Sequence, residues 1–273
     1  MTTPADVPSV ARTLHVLHTN DFHGALTGAG AERLRAAVDA LGPDAAYLLL
    51  DAGDAIKAGN IGVNPFGEPI LALMSDVGYH AMTMGNREFH IWQSALEVKI
   101  NRARFAVLCA NVRRRGEERG DSGEALPVAP SHVFTVANGL RVAVLGLTVP
   151  MVTERMKMAL AVSSFVFDDP VKVAERLVPE LRAHADVVIA LTHIGVREDE
   201  RLARSVRGID LIVGGHSHVT LPAPQVVDGT PIVQAGVYGR HYGHVTLTFE
   251  AAPGAPPCVK SALHPLEEKQ RRR

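Results

Sequence analysis

Short apolar runs alternate along the chain with stretches in which apolar residues recur at helical spacing. The run at residues 46–50 is apolar throughout, which is typical of a strand buried on both faces. By contrast, Leu34, Val38 and Leu41 share one face of a helix. The pattern predicts strands at residues 14–20, 46–50, 79–84, 105–110, 132–137, 140–147, 186–191, 209–213, 231–234 and 244–249. It predicts helices at residues 32–41, 69–77, 91–102, 170–183 and 198–206.

The composition is that of an ordinary globular protein. The chain has 273 residues, of which 47 % are hydrophobic and 21 % charged, enough for one large domain or two small ones. We expect one domain over residues 13–250, with flexible tails at residues 1–12 and 251–273. The net charge of -1 creates no overall field that would favour nucleic acid or an anionic membrane. No apolar run approaches the roughly 18 residues that a membrane-spanning helix needs.

Two local features bear on partners and compartment. Residues 113–121 interleave arginines with acidic residues and contain no aromatic residue, so we interpret them as a solvated loop rather than a nucleic-acid patch. The two cysteines, Cys109 and Cys258, fit a reducing compartment. Residues 1–12 hold no apolar core of a secretory signal, and we therefore expect a cytoplasmic protein.

Aspartate, asparagine and histidine side chains are concentrated just after five of the apolar runs. They are Asp21, His23, Asp54, Asn86, His193, His216 and His218. In open α/β sheets, ligands bind at the carboxyl ends of the strands. A sheet of mainly parallel strands would therefore bring the five clusters to one edge.

The chemistry of these seven residues predicts a metal site. Carboxylates, imidazoles and one amide, with no thiolate, favour hard to borderline divalent ions such as Mn²⁺, Zn²⁺, Fe or Mg²⁺. Seven ligands suit two ions if one carboxylate is shared. Glycines beside several of the ligands permit sharp turns and a close approach of the backbone. These glycines are Gly24, Gly53, Gly85, Gly214 and Gly215.

These residues stand in motifs that resemble those of the calcineurin-like metallophosphoesterase superfamily. In chain order the motifs are Asp21-x-His23, Gly53-Asp54, Gly85-Asn86-x-Glu88, His193 and Gly215-His216-Ser217-His218. Three longer phrases, at residues 17–24, 51–54 and 109–112, are most similar to the 5′-nucleotidase family. The resemblance extends from about residue 14 to residue 249, which is nearly the whole chain.

The resemblance implies a fold, a reaction and a division of the ligands. The fold would be a four-layer α/β sandwich of two mixed β-sheets flanked by α-helices. One ion would be held by Asp21, His23, Asp54 and His218, and the other by Asp54, Asn86, His193 and His216, with Asp54 as the bridge. The ions of such a pair lie about 3.5–4 Å apart, and a bridging hydroxide attacks the phosphorus atom.

The implied substrate is a small-molecule phosphate ester, such as a nucleotide or a cyclic nucleotide diester. The oligomeric state stays open. Proteins of the nucleotidase branch usually carry a C-terminal domain that grips the base and ribose, whereas this chain ends at Arg273. We therefore expect no C-terminal nucleotide-binding domain in it.

The third motif departs from the family pattern at two positions. Where the family has Gly-Asn-His-Glu followed by Phe-Asp, this chain has Arg87 in place of the histidine and His90 in place of the aspartate. In the family, that histidine contacts the phosphate and the aspartate is its partner. Arginine cannot donate a proton at neutral pH because its pKa exceeds about 12, but it can bind phosphate oxygens and stabilise charge.

Three interpretations of the altered motif stay open. In the first, Arg87 is an electrostatic clamp that binds the substrate together with Asn86, while His90 or water handles the proton. In the second, the site binds metal but turns over poorly, as in a non-catalytic metal- or phosphate-binding module. In the third, Arg87 points away from the site and pairs with Glu88 or another acid.

Overall fold

The computed structural model describes residues 12–116, 126–250 and 256–266. The strands are β1 (Arg12–Thr19), β2 (Tyr47–Asp51), β3 (Ala81–Thr83), β4 (Ala106–Leu108), β5 (Val112–Arg114), β6 (Ser131–Thr135), β7 (Arg141–Thr148), β8 (Phe165–Phe167), β9 (Val187–His193), β10 (Leu211–Gly214), β11 (Gln225–Val227), β12 (Thr230–Val233), β13 (His241–Phe249) and β14 (Cys258–Pro265). The helices are α1 (Gly28–Asp39), α2 (Pro69–Val77), α3 (Gln93–Ile100), α4 (Lys157–Val162), α5 (Pro170–Arg182) and α6 (Val196–Ser205). Each predicted strand and helix is confirmed, with ends that differ by a few residues.

The strands form two mixed six-stranded sheets. The first has the order β14-β13-β1-β2-β3-β4, in which β1 to β4 are parallel and β13 and β14 are antiparallel to their neighbours. The second has the order β11-β12-β10-β9-β7-β6, in which β12, β10, β9 and β7 are parallel and the two edge strands are antiparallel. Strands β5 and β8 form a separate antiparallel pair.

Buried apolar residues pack these sheets into four layers. Leu14 and Val144 belong to the central cluster, which joins the facing sides of the two sheets. A second cluster, which includes Leu34, packs α1 and α2 onto the first sheet. A third, which includes Leu202, packs α5 and α6 onto the second sheet. The structure thus confirms the sandwich of two mixed sheets flanked by helices.

Local backbone chemistry positions the helices beside the second sheet. Gly195 has φ +84°, a left-handed conformation that lets the chain turn sharply from β9 into α6. At the start of α5, the Asp169 side chain accepts hydrogen bonds from the backbone N–H groups of Val171 and Lys172. Pro170 occupies the first helical turn, where its missing N–H leaves no hydrogen bond unmade. Helix α6 therefore starts directly after the carboxyl end of β9.

Five elements were not predicted from the sequence, and one of them corrects the domain boundary. They are β5, α4, β8, β11 and β14. Strand β14 lies within residues 251–273, so the interpretation of that whole segment as a flexible tail is wrong for residues 258–265. These residues pair with β13 along its length. Arg12 likewise belongs to β1, whereas residues 1–11, 251–255 and 267–273 lie outside the described part of the chain.

The mixed charge run at residues 113–121 is also partly structured. Arg113 and Arg114 lie in β5, and the Arg113 guanidinium contacts the carboxylates of Glu154 at 2.5 Å and Asp168 at 3.4 Å. Residues 117–121 fall outside the described ranges. The described helices include no segment with the length and hydropathy of a membrane-spanning helix.

Candidate metal centre

The predicted ligands converge where the carboxyl ends of the two sheets meet. In the first sheet, the loop after β1 carries Asp21 and His23, and Asp54 and Asn86 follow β2 and β3. The second sheet contributes the remaining three histidines: His193 is the last residue of β9, and His216 and His218 follow β10. We expected one sheet edge to carry all five clusters, but the site joins the edges of two sheets.

Most of these side chains stand on a backbone conformation that L residues rarely adopt. Left-handed φ values between 50° and 74° occur at Asp21, His23, Asp54, His216 and His218. Such conformations cost free energy, and they persist at functional sites where the surrounding structure holds them. Here the loops hold one another: the N–H groups of Asp21 and His23 donate to the carbonyl oxygens of Gly53 and Asp54, both at 2.9 Å.

Four donors form the first group, which we call group A and define as Asp21, His23, Asp54 and His218. His23 Nε2 lies 3.4 Å from Asp54 Oδ2 and 3.7 Å from Asp21 Oδ1. His218 Nε2 lies 3.3 Å from the same Asp21 oxygen. Ligand atoms bound at about 2.0–2.2 Å to one ion stand about 3–3.5 Å apart, so these separations match a shared cation.

Group B consists of Asp54, Asn86, His193 and His216. His193 Nε2 lies 3.4 Å from Asp54 Oδ1 and 3.3 Å from Asn86 Oδ1. His216 Nδ1 lies 3.1 Å from the Asn86 oxygen. The two oxygens of Asp54 thus face different groups, which is the arrangement that a bridging carboxylate requires.

Asp21 lies between the groups, because one of its carboxylate oxygens is also within 4.8 Å of ligand atoms of Asp54 and His193. Its Oδ2 atom already accepts hydrogen bonds from Asn20 Nδ2 at 2.7 Å and from the His216 N–H at 3.0 Å. Its Oδ1 atom is buried and has no hydrogen-bond donor. The free oxygen is the one beside His23 and His218, so we place Asp21 in group A.

Unpaired buried atoms and raised histidine pKa values show that the site suits cations. Both ring nitrogens of His23 are buried without a hydrogen-bond partner. Burial opposes protonation of His193, yet the contact with Asp54 raises its pKa to about 9. Burial would raise the pKa of Asp54, but its contacts with His193 and His23 hold it far below the usual range. The carboxylates that favour a protonated imidazole at His23 and His193 would favour divalent ions at the same place.

Neighbouring groups orient the ligands. His193 Nδ1 lies 2.7 Å from the Ala52 carbonyl oxygen, so this nitrogen carries the proton and Nε2 is left to bind metal. Glu88 accepts hydrogen bonds from the N–H groups of Asp54 at 2.9 Å and Gly85 at 2.8 Å. This buried carboxylate ties the loop after β2 to the loop after β3, which explains its place in the third motif.

Gly85 is required by the close approach of these two loops. A Cβ atom at this position would lie 2.3 Å from Asp54 Oδ1 and 2.4 Å from the Asp54 backbone nitrogen. Any larger residue would displace the carboxylate that faces both groups.

Arg87 lies at the site. Its backbone N–H donates to Asp54 Oδ1 at 2.7 Å, and its Nε atom lies 3.6 Å from Asp54 Oδ2. Its Nη1 atom donates to the Lys57 carbonyl oxygen at 3.1 Å. The part of the third interpretation in which Arg87 points away from the site is therefore wrong, whereas the pairing of Arg87 with an acid is found, with Asp54. Its positive charge also opposes protonation of His23, whose pKa is nevertheless raised, since Asp21 and Asp54 outweigh both burial and this repulsion.

His90 is not brought together with the other predicted site residues. Among the described residues, its contacts are a hydrogen bond from the Trp92 N–H to Nδ1 at 3.0 Å and a ring contact with Trp92. Burial, followed by the nearby Lys99 charge, lowers its pKa. A role for His90 in proton transfer stays a prediction to which these contacts lend no support.

Sequence reasoning missed two residues at the site. Asn20 holds Asp21 and also bonds the loop after β12, through Ala235 N–H and the Gly236 carbonyl oxygen. Tyr238 lies in that same loop, with its ring 5.2 Å from the His23 ring. The signal was present in both cases, since each residue follows the carboxyl end of a parallel strand as the ligands do.

Comparisons with known proteins show what the whole chain is similar to. The family model described as calcineurin-like phosphoesterase matches residues 14–220. The trifunctional nucleotide phosphoesterase protein YfkN of Bacillus subtilis is 32 % identical over 270 residues, covering 87 % of this chain and 18 % of that protein. A 5′-nucleotidase of Diplobatis ommata is 32 % identical over 272 residues, covering 87 % of this chain and 46 % of that protein.

A solved structure is also similar to this chain. The 5′-nucleotidase precursor from Thermus thermophilus aligns with a TM-score of 0.74 and 31 % identity, covering 93 % of this chain and 54 % of that one. The resemblance to the 5′-nucleotidase family is thus confirmed. This chain spans about half the length of the nucleotidases it matches and a smaller share of YfkN.

Proposed function

The chain belongs to the calcineurin-like phosphoesterase family, and from this premise we propose that it hydrolyses a small phosphate ester with two divalent metal ions. The substrate class we favour is a nucleotide-like phosphomonoester, because relatives that it matches are named as nucleotidases or nucleotide phosphoesterases. The observation that carries the proposal is the meeting of two donor groups on the two oxygens of Asp54.

Each donor group would hold one ion. Group A would use Asp21 Oδ1, Asp54 Oδ2 and the imidazoles of His23 and His218, whereas group B would use Asp54 Oδ1, Asn86, His193 and His216. Oxygen and imidazole donors of this kind accept Mn²⁺, Zn²⁺, Fe and Mg²⁺, so the donor set leaves the metal identity open. When bound, two such ions polarise the phosphate oxygens and lower the pKa of a water molecule.

In the proposed reaction, Arg87 stabilises charge and does not transfer a proton. Its guanidinium lies beside the carboxylate that both groups share, on the side of His23. There it can donate hydrogen bonds to a phosphate oxygen and stabilise the negative charge that grows during hydrolysis. Arginine keeps its proton at neutral pH, and the contacts of His90 lie elsewhere. Water is therefore the proton donor that we propose for the leaving group.

Hydrolysis assays with the Asp54→Asn variant test this proposal. Protein supplied with Mn²⁺ should hydrolyse p-nitrophenyl phosphate or a nucleoside 5′-monophosphate. Asp54→Asn should lower kcat/KM by about a hundredfold or more, because it removes a charge that both ions share. Asp44→Asn, at an exposed position, is the matched control and should keep the activity. No hydrolysis of any mono- or diester in a broad panel would contradict the proposal.

A rival function is a metal- or phosphate-binding module with little turnover. The motivating observation is the salt bridge between Arg87 and Asp54, because Arg87 stands where the family has a histidine. The double change Arg87→His with His90→Asp separates the two functions. A large gain in kcat would mean that the native site is degraded, whereas a loss would mean that Arg87 is adapted to the reaction.

Two finer points also stay proposals. Hydrolysis of a cyclic nucleotide diester is the alternative reaction, and the same panel compares it with the monoesters. A cytoplasmic role in nucleotide breakdown remains a prediction from the sequence, which fractionation of the native cell would test.

A further inference from the structure

Tyr238 combines a large side chain with a left-handed backbone. It lies in the loop between β12 and β13, and its φ is +59°. Gly236 and Gly239 in the same loop are also left-handed, with φ of +94° and +64°, and glycine adopts this conformation without strain. A tyrosine at such a position carries a cost in free energy that a glycine would avoid. The geometry of the turn therefore does not explain why this position carries an aromatic side chain.

The loop is fixed to the ligand-bearing loop after β1. The Tyr238 N–H donates to the Asp21 carbonyl oxygen at 2.9 Å. Asn20 bonds the same loop at both ends of its amide, through Ala235 N–H at 2.8 Å and the Gly236 carbonyl oxygen at 2.5 Å. These contacts hold the backbone of the Tyr238 loop against the loop that carries Asp21 and His23.

The ring lies at the outer rim of group A. Its centroid is 5.2 Å from that of His23, edge to face at 78°, and 6.5 Å from that of His218. Nevertheless, 49 % of Tyr238 is exposed to solvent. Packing against His23 therefore leaves about half of Tyr238 accessible to solvent beside the candidate metal centre.

We propose that Tyr238 contacts the substrate and selects phosphate esters whose leaving group carries a flat aromatic ring, such as a nucleobase or an aryl group. This inference rests on the proposed function. A phosphate held by groups A and B would place its ester substituent at the rim, within reach of a ring 5–7 Å from the imidazoles. Aromatic pairs attract in offset-stacked or edge-to-face arrangements, so a planar substituent gains affinity that an alkyl substituent does not.

Binding of two phosphonates that lack a cleavable ester bond tests the proposal without relying on activity. Calorimetric titration of the Mn²⁺-loaded protein compares phenylphosphonate with methylphosphonate. Tyr238→Asn removes the ring but keeps a residue that tolerates left-handed backbone, and it should raise Kd for phenylphosphonate about threefold to tenfold. Its Kd for methylphosphonate and its bound metal should stay at the wild-type values. Tyr238→Phe keeps the ring and should behave as wild type.

Asp228→Asn supplies the matched control. Asp228 is also left-handed, with φ +47°, but it lies in the turn between β11 and β12, at the end of β12 away from the site. This variant should bind both phosphonates as wild type does. In kinetic assays, Tyr238→Asn should raise KM for p-nitrophenyl phosphate more than for glycerol phosphate and leave kcat near wild type.

Four results would overturn the proposal. Equal weakening for both phosphonates, or a loss of bound metal, would mean that Tyr238 only supports His23. If Tyr238→Asn preferred phenylphosphonate as strongly as the wild type does, the ring would not contact the ligand. If neither phosphonate bound to the Mn²⁺-loaded protein, there would be no phosphate site for Tyr238 to border. If both bind with the expected preference while no ester is hydrolysed, the proposed function fails and the aromatic contact stands.

Discussion

At the scale of single residues, the candidate metal centre could be predicted from the sequence because metal binding restricts residue type. Carboxylates, imidazoles and an amide placed after strand ends were enough to identify all seven converging donors. By contrast, the sequence did not predict where the neighbouring side chains of Arg87 and His90 point. Arg87 contacts Asp54, whereas His90 contacts Trp92, and only the folded backbone decides between such alternatives.

Asp199 offers a prediction about stability behind the site. It is fully buried, its Oδ1 accepts a hydrogen bond from Thr192 at 2.6 Å, and its Oδ2 has no donor. Burial raises its pKa to about 7, compared with about 3.9 in an unfolded chain. Between these values the native state holds the proton more tightly, so the free energy of unfolding falls as pH rises. Above pH 7 the loss reaches at most about 4 kcal/mol.

Asp199→Asn should remove this dependence, because asparagine does not titrate. Denaturant unfolding at pH 5 and pH 8 measures the pH dependence. Between these pH values, the free energy of unfolding should fall less for the variant than for the wild type. Asp44→Asn, at an exposed position, should leave the wild-type difference unchanged. Identical pH slopes for the wild type and Asp199→Asn would show that the carboxyl is ionised at both pH values.

At the scale of elements, strong apolar patterns were predictable and weak ones were not. Continuous apolar runs predict the buried parallel strands, and β9 is an example. Strand β14 alternates exposed and partly buried residues and follows a segment rich in proline and alanine, so its sequence resembles a tail. Its order comes from pairing with β13, which is a tertiary contact that local sequence does not encode.

Leu266, just after β14, should make a measurable contribution to stability. It is fully buried in the cluster that packs α1 and α2 on the first sheet. Its N–H donates to the Arg240 carbonyl oxygen at 3.0 Å, and its own carbonyl accepts from Arg33 at 2.8 Å. Leu266→Ala should therefore lower the free energy of unfolding by about 2–5 kcal/mol.

The control for this variant is Val226→Ala on β11, where 63 % of the residue is exposed. That change should alter the free energy of unfolding by no more than about 0.5 kcal/mol. Chemical denaturation of the two variants measures both values. If Leu266→Ala lowered the free energy of unfolding as little as the control does, the segment around β14 would be a flexible tail, as the sequence predicted.

At the scale of the whole molecule, the candidate metal centre joins the two sheets. Asp21, His23, Asp54 and Asn86 come from loops of the first sheet, and His193, His216 and His218 come from the second. The sequence predicted ligands at strand ends but placed them on one sheet edge, because the partition of strands between sheets depends on pairing far along the chain. Bound ions would therefore cross-link the sandwich as well as serve the reaction.

Metal removal should consequently lower the melting temperature. An ion that binds only the folded chain stabilises it by about 2.7 kcal/mol at a free concentration of 100 Kd. At about 2–4 °C per kcal/mol, each ion should raise Tm by about 5–10 °C. Scanning calorimetry with Mn²⁺ and with a chelator measures this difference, and Asp54→Asn should reduce it sharply. Equal Tm values with and without metal would argue against ligands shared between the sheets.

The central claim is that two metal ions share Asp54. Anomalous diffraction from crystals grown with Mn²⁺ tests it most directly. We predict two anomalous peaks per chain, one among Asp21, His23, Asp54 and His218 and one among Asp54, Asn86, His193 and His216, with Asp54 contacting both. A single peak, or two peaks of which only one contacts Asp54, would contradict the account.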